Sequence, residues 1–424
     1  MDDVVLTDLS VATEGHSSVA TKADAVDGMP VRWVAMPVST EQTSAVLRVA
    51  ATHDLAVVVR GCGTKLTWGA RPQRVDLLLD TTRMDAVVEH AAGDLIVVVG
   101  AGLRLDDLQA DLARSGQWLA VDPARRGTIG GLVATAATGP TRLLHGPVRD
   151  LVIGVTVVRA DGVVARAGGK VVKNVAGYDV GKMLTGSLGT LGVITKAAFR
   201  LHPLPESRRW VSVPIASSNG SGPRGDMNAR IDALVQQVVH SQLVPTAVEL
   251  DRPENGGATL CILLEGIRPG VQARTAQALD LMGDGAIADE AAPEWWGAEP
   301  LVGREVLLKI THEIAGLANL IKVLDDVCAD TGVTAHLRGS VAVGAVTVGL
   351  AGATNPGVLA RCVASLRGRS PSFGGTVVVL EAPGDLKEDL DVWGPVGGLR
   401  LMEAVKQQFD PERRLAPGRF VGGI

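Results

Sequence analysis

Gly186-Ser-Leu-Gly-Thr-Leu-Gly-Val-Ile-Thr195 puts a glycine at every third position and then runs into β-branched residues. Glycine accepts positive φ and lets a large group approach the backbone, so a glycine-dense entry to a strand marks a ligand against the chain or a tight packing contact. The pattern extends upstream, with seven glycines between residues 168 and 195 (Gly168, Gly169, Gly177, Gly181, Gly186, Gly189 and Gly192). Taken alone, the window fits an ordinary glycine-rich loop as well as a cofactor contact.

Two further segments share this character. Leu55-Ala-Val-Val-Val reads as a buried strand, and the turn after it, Arg60-Gly-Cys-Gly-Thr-Lys-Leu66, presents successive N–H groups in a concavity suited to phosphate oxygens. It is not the Rossmann fingerprint, because Leu66 stands where a third glycine is needed, and it lacks the Walker A pattern. A plain strand-to-helix turn explains it equally well. In Gly127-Thr-Ile-Gly-Gly-Leu-Val-Ala-Thr-Ala-Ala-Thr-Gly139, Thr128 is expected to cap a helix opening at Gly130 and Gly131. The small residues Ala134, Ala136 and Ala137 admit either a ligand or a closely packed neighbour.

Composition narrows the classes. The 424 residues are 46% hydrophobic with a formal net charge of −5, which describes a soluble protein of two or three domains and gives no basic surplus for nucleic acid. The acidic start Met1-Asp-Asp-Val-Val-Leu-Thr-Asp8 lacks the features of a signal peptide, and no apolar run approaches spanning length, so a cytoplasmic chain without a membrane span is expected. Cys62, Cys261, Cys328 and Cys362 form no C-x-x-C pair, which argues against structural zinc, a disulfide framework or an iron–sulfur cluster held by this chain alone. The histidines are isolated, and no metal site is expected.

Residues 1–29 show little periodicity and read as a loosely structured lead-in. From Arg32 onward strands and helices alternate: a helix through Ala45, Val46, Val49 and Ala50 opened by Ser39 and Gln42, strands at 55–60, 75–80, 95–100 and 151–158, and a helix with Leu105, Leu108 and Leu112 on one face. Pro203 and Pro205 mark a break. Beyond it, helices are expected at 228–239, 269–282, 316–329 and 399–409, with strands at 258–264, 341–350 and 376–381, the pattern of a sheet covered on one face.

The three glycine-bearing segments, in this order, resemble the FAD-binding domain of the vanillyl-alcohol oxidase and p-cresol methylhydroxylase flavoprotein superfamily over roughly residues 30–205. The resemblance implies an α+β protein: an FAD-binding PCMH-type domain of two α/β subdomains at 30–205, an α/β cap domain with a mainly antiparallel sheet at 206–390, and a C-terminal segment, 391–424, returning to the FAD domain. It implies that Gly61, Cys62, Gly63, Thr64, Lys65 and Leu66 wrap the pyrophosphate. Thr128, Gly130, Gly131 and Ala134, with Pro123, would line the opposite side; Gly189, Thr190, Gly192, Val193 and Ile194 would pass under the flavin and adenine. Lys173-Asn-Val-Ala-Gly-Tyr-Asp179, Asp410-Pro411 and Pro417-Gly-Arg419 look like the FAD-binding subunits of glycolate oxidases, relatives of D-lactate and D-2-hydroxyglutarate dehydrogenases. Lys173, Asn174, Tyr178, Asp179 and Arg419 are the flavin-proximal candidates.

Departures from the family pattern refine these expectations. Covalently flavinylated members carry a histidine where this chain has Thr64, so non-covalent FAD is expected. The H-x-G-D-G-N-x-H metal motif of related 2-hydroxy-acid enzymes is missing, and Ala416 replaces a usual asparagine. Hydride transfer from a substrate α-carbon needs a base for the hydroxyl proton and a cation for the carboxylate. His336 and Arg338, two apart and so on one side of a strand, are candidates, with His312 and Lys309 behind them; a solvated strand end explains the pair equally well. The resemblance implies an FAD-binding subunit of a glycolate (2-hydroxy-acid) oxidase or dehydrogenase complex. Its partners would be a second flavoprotein subunit and an iron–sulfur subunit, through which it would sit at the periphery of the inner membrane. A self-sufficient FAD-dependent dehydrogenase and a non-catalytic FAD-binding relay subunit are the alternatives.

Overall fold

The computed structural model describes residues 2–169, 179–216, 224–254, 256–300 and 306–424. Trp33–Ala35, Leu77–Asp80 and Val57–Arg60 pair in parallel, and Ser17–Val19 adds an antiparallel edge. Parallel strands buried on both faces need apolar residues throughout, which is why these read as unbroken hydrophobic runs. The helix Thr40–Thr52 packs against this sheet, opened by Ser39, whose hydroxyl accepts from the Gln42 N–H at 3.1 Å.

The first residues are not the loose lead-in that their sequence suggests. Asp2–Ala12 is a helix that buries Val5 and Leu9 against Val46 and Leu47. Its inward stripe is one i,i+4 pair, while Val4 and Val11 lie exposed, so the helical period is masked.

The second sheet is antiparallel, in the order Val87–Ala91, Ile96–Gly100, Val193–Arg200, Val152–Val158, Val164–Gly168. The glycine-rich window thus feeds its central strand. The helices Leu105–Ala113 and Ile129–Ala134 share one core with it.

The third and largest sheet is antiparallel and eight-stranded: Ile287–Asp289, Ser207–Ile215, Ala258–Gly266, Ala247–Arg252, Thr334–Ser340, Ala345–Ala351, Val306–Thr311, Val377–Glu381. Helices Arg224–Val239, Arg268–Met282, Leu317–Thr331 and Pro356–Arg369 cover one face, on which Val213, Leu250, Ile262, Leu308, Leu337 and Val348 are buried. Side chains alternate along a strand, so Glu249, Lys309, Arg338 and Thr347 project from the other face, toward the glycine-bearing loops. The strand expected at 341–350 is shorter. A 3-10 turn occupies Val341–Val343, and Gly344, at φ 65°, follows it with no room for a side chain beside the His312 carbonyl.

The chain ends by returning to the first sheet. After the helix Leu399–Phe409, Leu415 bridges Val57 in parallel. The buried Lys406 ammonium donates to the Thr190 carbonyl, the Leu415 carbonyl and Asp410 at 2.8–2.9 Å, filling its three donors. The eight-stranded sheet is tied down by Arg125, which pairs with Glu299 and Glu381, and by the buried Lys387, which pairs with Asp27 and donates to the Thr67 carbonyl.

Candidate active site

Two adjoining cavities share Lys65, Thr135 and Leu188 as walls. The first lies at the C-terminal end of the strand Val57–Arg60. Arg60 is consumed in orienting the loop, because its guanidinium pairs with Asp80 at 2.9 Å and Asp24 at 3.0 Å. A Cβ on Gly61 would lie 2.0 Å from the Thr128 hydroxyl oxygen, so the first and second glycine segments meet where only glycine fits. Thr128 stands at the N-cap of Ile129–Ala134, but its hydroxyl makes no cap bond, contrary to the sequence expectation. That oxygen is buried without a partner. An orphaned buried hydroxyl costs about 1–3 kcal/mol, a cost that a bound polar group removes.

The third segment is stitched to the second by backbone bonds, Gly186 N–H to the Val133 carbonyl and Leu188 N–H to the Ala134 carbonyl. At Gly192 a Cβ would lie 2.5 Å from Val157 Cγ2, which again requires glycine. Arg419 closes the cleft from the C-terminal tail, donating to the Leu66 and Trp68 carbonyls at 2.7 and 2.8 Å. Burial pushes its guanidinium down to about 10. Burial likewise lowers Lys65 to about 8, and its ammonium donates to the Arg125 carbonyl. A narrow seam of backbone, an orphan hydroxyl and a lysine at its mouth fit a long phosphate-bearing cofactor such as FAD.

Most of the expected cofactor residues line this cleft: Gly61 to Leu66, Thr128, Gly130, Gly131, Ala134, Gly189, Gly192, Ile194 and Arg419. Pro123 lies instead in the second cavity. Thr190 and Val193 fall outside both: the Thr190 hydroxyl donates to the Ser187 carbonyl, and Val193 packs in the core of the first sheet. Asp179 caps the short helix Val180–Leu184, accepting from the Lys182 N–H at 3.0 Å. Lys173, Asn174 and Tyr178 lie outside the described residues. Thr81, missed from sequence, joins the wall because its strand runs parallel beside Val57–Arg60 and ends level with it.

The second cavity, about 300 Å³, lies between the glycine-bearing loops and the face of the eight-stranded sheet that its helices leave bare. Register puts Asp251, Arg338, Thr347 and Lys309 in one row across four strands, and Glu249, Ser340 and Ala345 in the next. With strands about 4.8 Å apart, Arg338 and Lys309 flank Thr347 at roughly 10 Å from each other. Asp251 receives both Arg338 Nε and His336 Nε2 at 2.7 Å. Although burial opposes it, these hydrogen bonds hold the Asp251 carboxyl below its ordinary value. His336 and Arg338 therefore do share one side of a strand, but only Arg338 lines the cavity. His312 also lies outside it, its Nδ1 bonded to the Glu313 carbonyl.

Lys309 and Arg142 both line the cavity, and neither side chain has a hydrogen-bond or ion-pair partner among the described residues. Burial lowers both, and for Lys309 the neighbouring Arg142 adds to the effect. Two unpaired cations facing one cavity form a receptor for an anion. Arg142 carries no periodic signal in sequence, because it sits on the short helix Arg142–His145 within a stretch that reads as a glycine-rich connection. Among the described residues no group of three or more His, Cys, Asp or Glu side chains converges as metal ligands would.

Comparison with known proteins agrees with this geometry. Residues 31–168 match the family model described as FAD binding domain. The glycolate oxidase subunit GlcD of Bacillus subtilis is 26% identical over 91% of this chain and 88% of its own length. The glycolate oxidase subunit GlcE of Escherichia coli K12 is 35% identical, over 38% of this chain and 48% of its own length. Among solved structures, p-cresol methylhydroxylase with substrate bound shares the fold with a TM-score of 0.74, at 16% identity over 98% of this chain and 96% of that one.

Proposed function

We propose that this chain, an FAD-dependent oxidoreductase whose residues 31–168 match the FAD binding domain family, oxidises a small 2-hydroxy acid within a glycolate-oxidase-type complex. The observation that carries this reading is the second cavity, where unpaired Arg142 and Lys309 face a space that shares a wall with the FAD cleft. A 2-hydroxy acid has a carboxylate for such cations and a carbinol C–H one bond away. Bound FAD supplies an acceptor for the hydride. Arg142 and Lys309 hold the carboxylate over Thr347. Arg338, held by Asp251, fixes one end of that row, and Val378 and Leu380 help to exclude water.

The likeness to GlcD and GlcE supports partners of the same kind, a second flavoprotein subunit and an iron–sulfur subunit that takes the electrons onward. No helix among the described residues is long and apolar enough to cross a membrane, so attachment at the cytoplasmic face of the inner membrane would run through those partners. With Thr64 in the first loop the flavin is held without a covalent bond, and acid precipitation is expected to leave it in the supernatant.

Anaerobic titration with glycolate and D-lactate, with and without the partner subunits, tests the function. Loss of the oxidised flavin absorbance is expected with at least one of the acids. A flavin that neither acid reduces, alone or in the complex, would leave the chain an electron relay without its own substrate.

A further inference from the structure

The function proposed above leaves the hydroxyl proton without an acceptor among the groups given a role so far. His336 is bonded to Asp251 and lies outside the cavity, as does His312. Glu299 lines the cavity but is paired with Arg125 at 2.7 Å. Lys309 and Arg142 are needed for the carboxylate. Glu249 remains: it lines the cavity, is buried, and among the described residues has no ion-pair partner, its carboxyl there being held by the Ser340 hydroxyl. It stands two residues along its strand from Asp251, so its row lies about 7 Å from the row of Arg338, Thr347 and Lys309. A 2-hydroxy acid whose carboxylate rests over Thr347 can turn its hydroxyl to Glu249 across that distance.

Resting on the 2-hydroxy-acid reading, we propose that Glu249 is the catalytic base of the oxidation. Its carboxylate takes the hydroxyl proton while the α-hydrogen leaves with its electron pair to FAD. The O–H and C–H bonds break, the C=O double bond forms, and the 2-oxo acid, the protonated Glu249 and the reduced flavin account for every atom and electron. Ser340, bonded to the carboxyl, is a positioning residue.

The surroundings tune this group. Ser340 and Arg338 face it from one neighbouring strand, Cys261 from the other, Arg142 from the short helix and Asp122 from the loop before that helix. Burial, foremost, pushes the Glu249 carboxyl up to about 8, and Asp122 adds to this while Ser340, Arg142 and Arg338 oppose it. The base-competent fraction therefore grows about tenfold per pH unit below that value.

The test is anaerobic stopped-flow reduction of the FAD-loaded protein, with its partners if they are required, at saturating 2-hydroxy acid. The wild-type rate is expected to climb with pH and level off near pH 8. Glu249→Gln is expected to reduce at least 100-fold more slowly with no rising limb, while oxalate, read from the shift it causes in the flavin spectrum, binds within threefold of wild type. Ser340→Ala is expected to move the limb to higher pH, since the lost hydrogen bond favoured the ionised carboxyl; this decides the matter if Glu249→Gln fails to retain FAD. Reduction of Glu249→Gln within threefold of wild type, oxalate affinity lost in step with rate, or an unmoved limb in Ser340→Ala overturns the assignment alone. A wild-type flavin that no 2-hydroxy acid reduces takes the functional reading down with it.

Discussion

The candidate FAD cleft and the proposed substrate cavity share a wall, yet they are made from different parts of the chain's chemistry. The cleft is mostly backbone, formed where Gly61 meets Thr128 and Gly192 meets Val157 with no space for a side chain. The cavity is mostly side chain, formed by Glu249, Lys309 and Arg338 from three strands of one sheet and by Arg142 from a helix opposite. Backbone recognition tolerates no added atom, so it should fail completely when filled. Side-chain recognition is a sum of charges and should fail in proportion.

The sharpest break is Gly61→Ala. With a methyl carbon 2.0 Å from the Thr128 hydroxyl, the protein is expected to purify colourless, read as the ratio of flavin to protein absorbance, and adding Thr128→Gly is expected to return part of the colour. Next come the cavity cations. Each charge-assisted bond contributes about 1.5–3 kcal/mol, so Lys309→Ala or Arg142→Ala is expected to weaken oxalate binding about 10- to 100-fold with FAD content unchanged. Loss of FAD in either variant would erase the distinction between the two regions.

A third prediction uses pH and stability. The carboxyls of Glu249 and Asp122 are raised by burial to about 8 and about 6 from ordinary values of 4.5 and 3.8. Between the ordinary and the raised values the folded state binds more protons than the unfolded one, so these groups make stability fall as pH rises. The melting temperature is expected to drop between pH 6 and pH 8, and Glu249→Gln is expected to flatten that slope. The smallest effect is reserved for the clamp. Arg125→Ala removes two partly exposed ion pairs and is expected to lower the melting temperature by only a few degrees.

The same contrast decides how much could be read from sequence. Gly61, Gly130, Gly131, Gly189 and Gly192 announce the cleft because each contact is encoded by a glycine within a short window. Alternation hides part of it: Ile194 faces the cleft, whereas Val193 beside it turns into the first sheet's core. In the cap, the covered sheet was legible from its periodicity, but its working face was not. Glu249 and Ser340 are 91 positions apart and meet only through strand register. The alternation Thr-Ala-His-Leu-Arg-Gly-Ser from 334 to 340 correctly set His336 and Arg338 side by side, yet nothing local to them reveals that Asp251 binds both.

The tie between Arg419 and the Leu66 carbonyl spans 353 positions, and this has a consequence for how the protein is born. At about 5–20 residues per second, the first loop waits roughly 20 to 70 s before the residue that closes it has been made. During that interval the N-terminal half can fold its sheets but cannot finish the cleft. Completion of the cleft is therefore among the last steps of biogenesis, and a chain that stops short of residue 419 is expected to purify with little or no flavin.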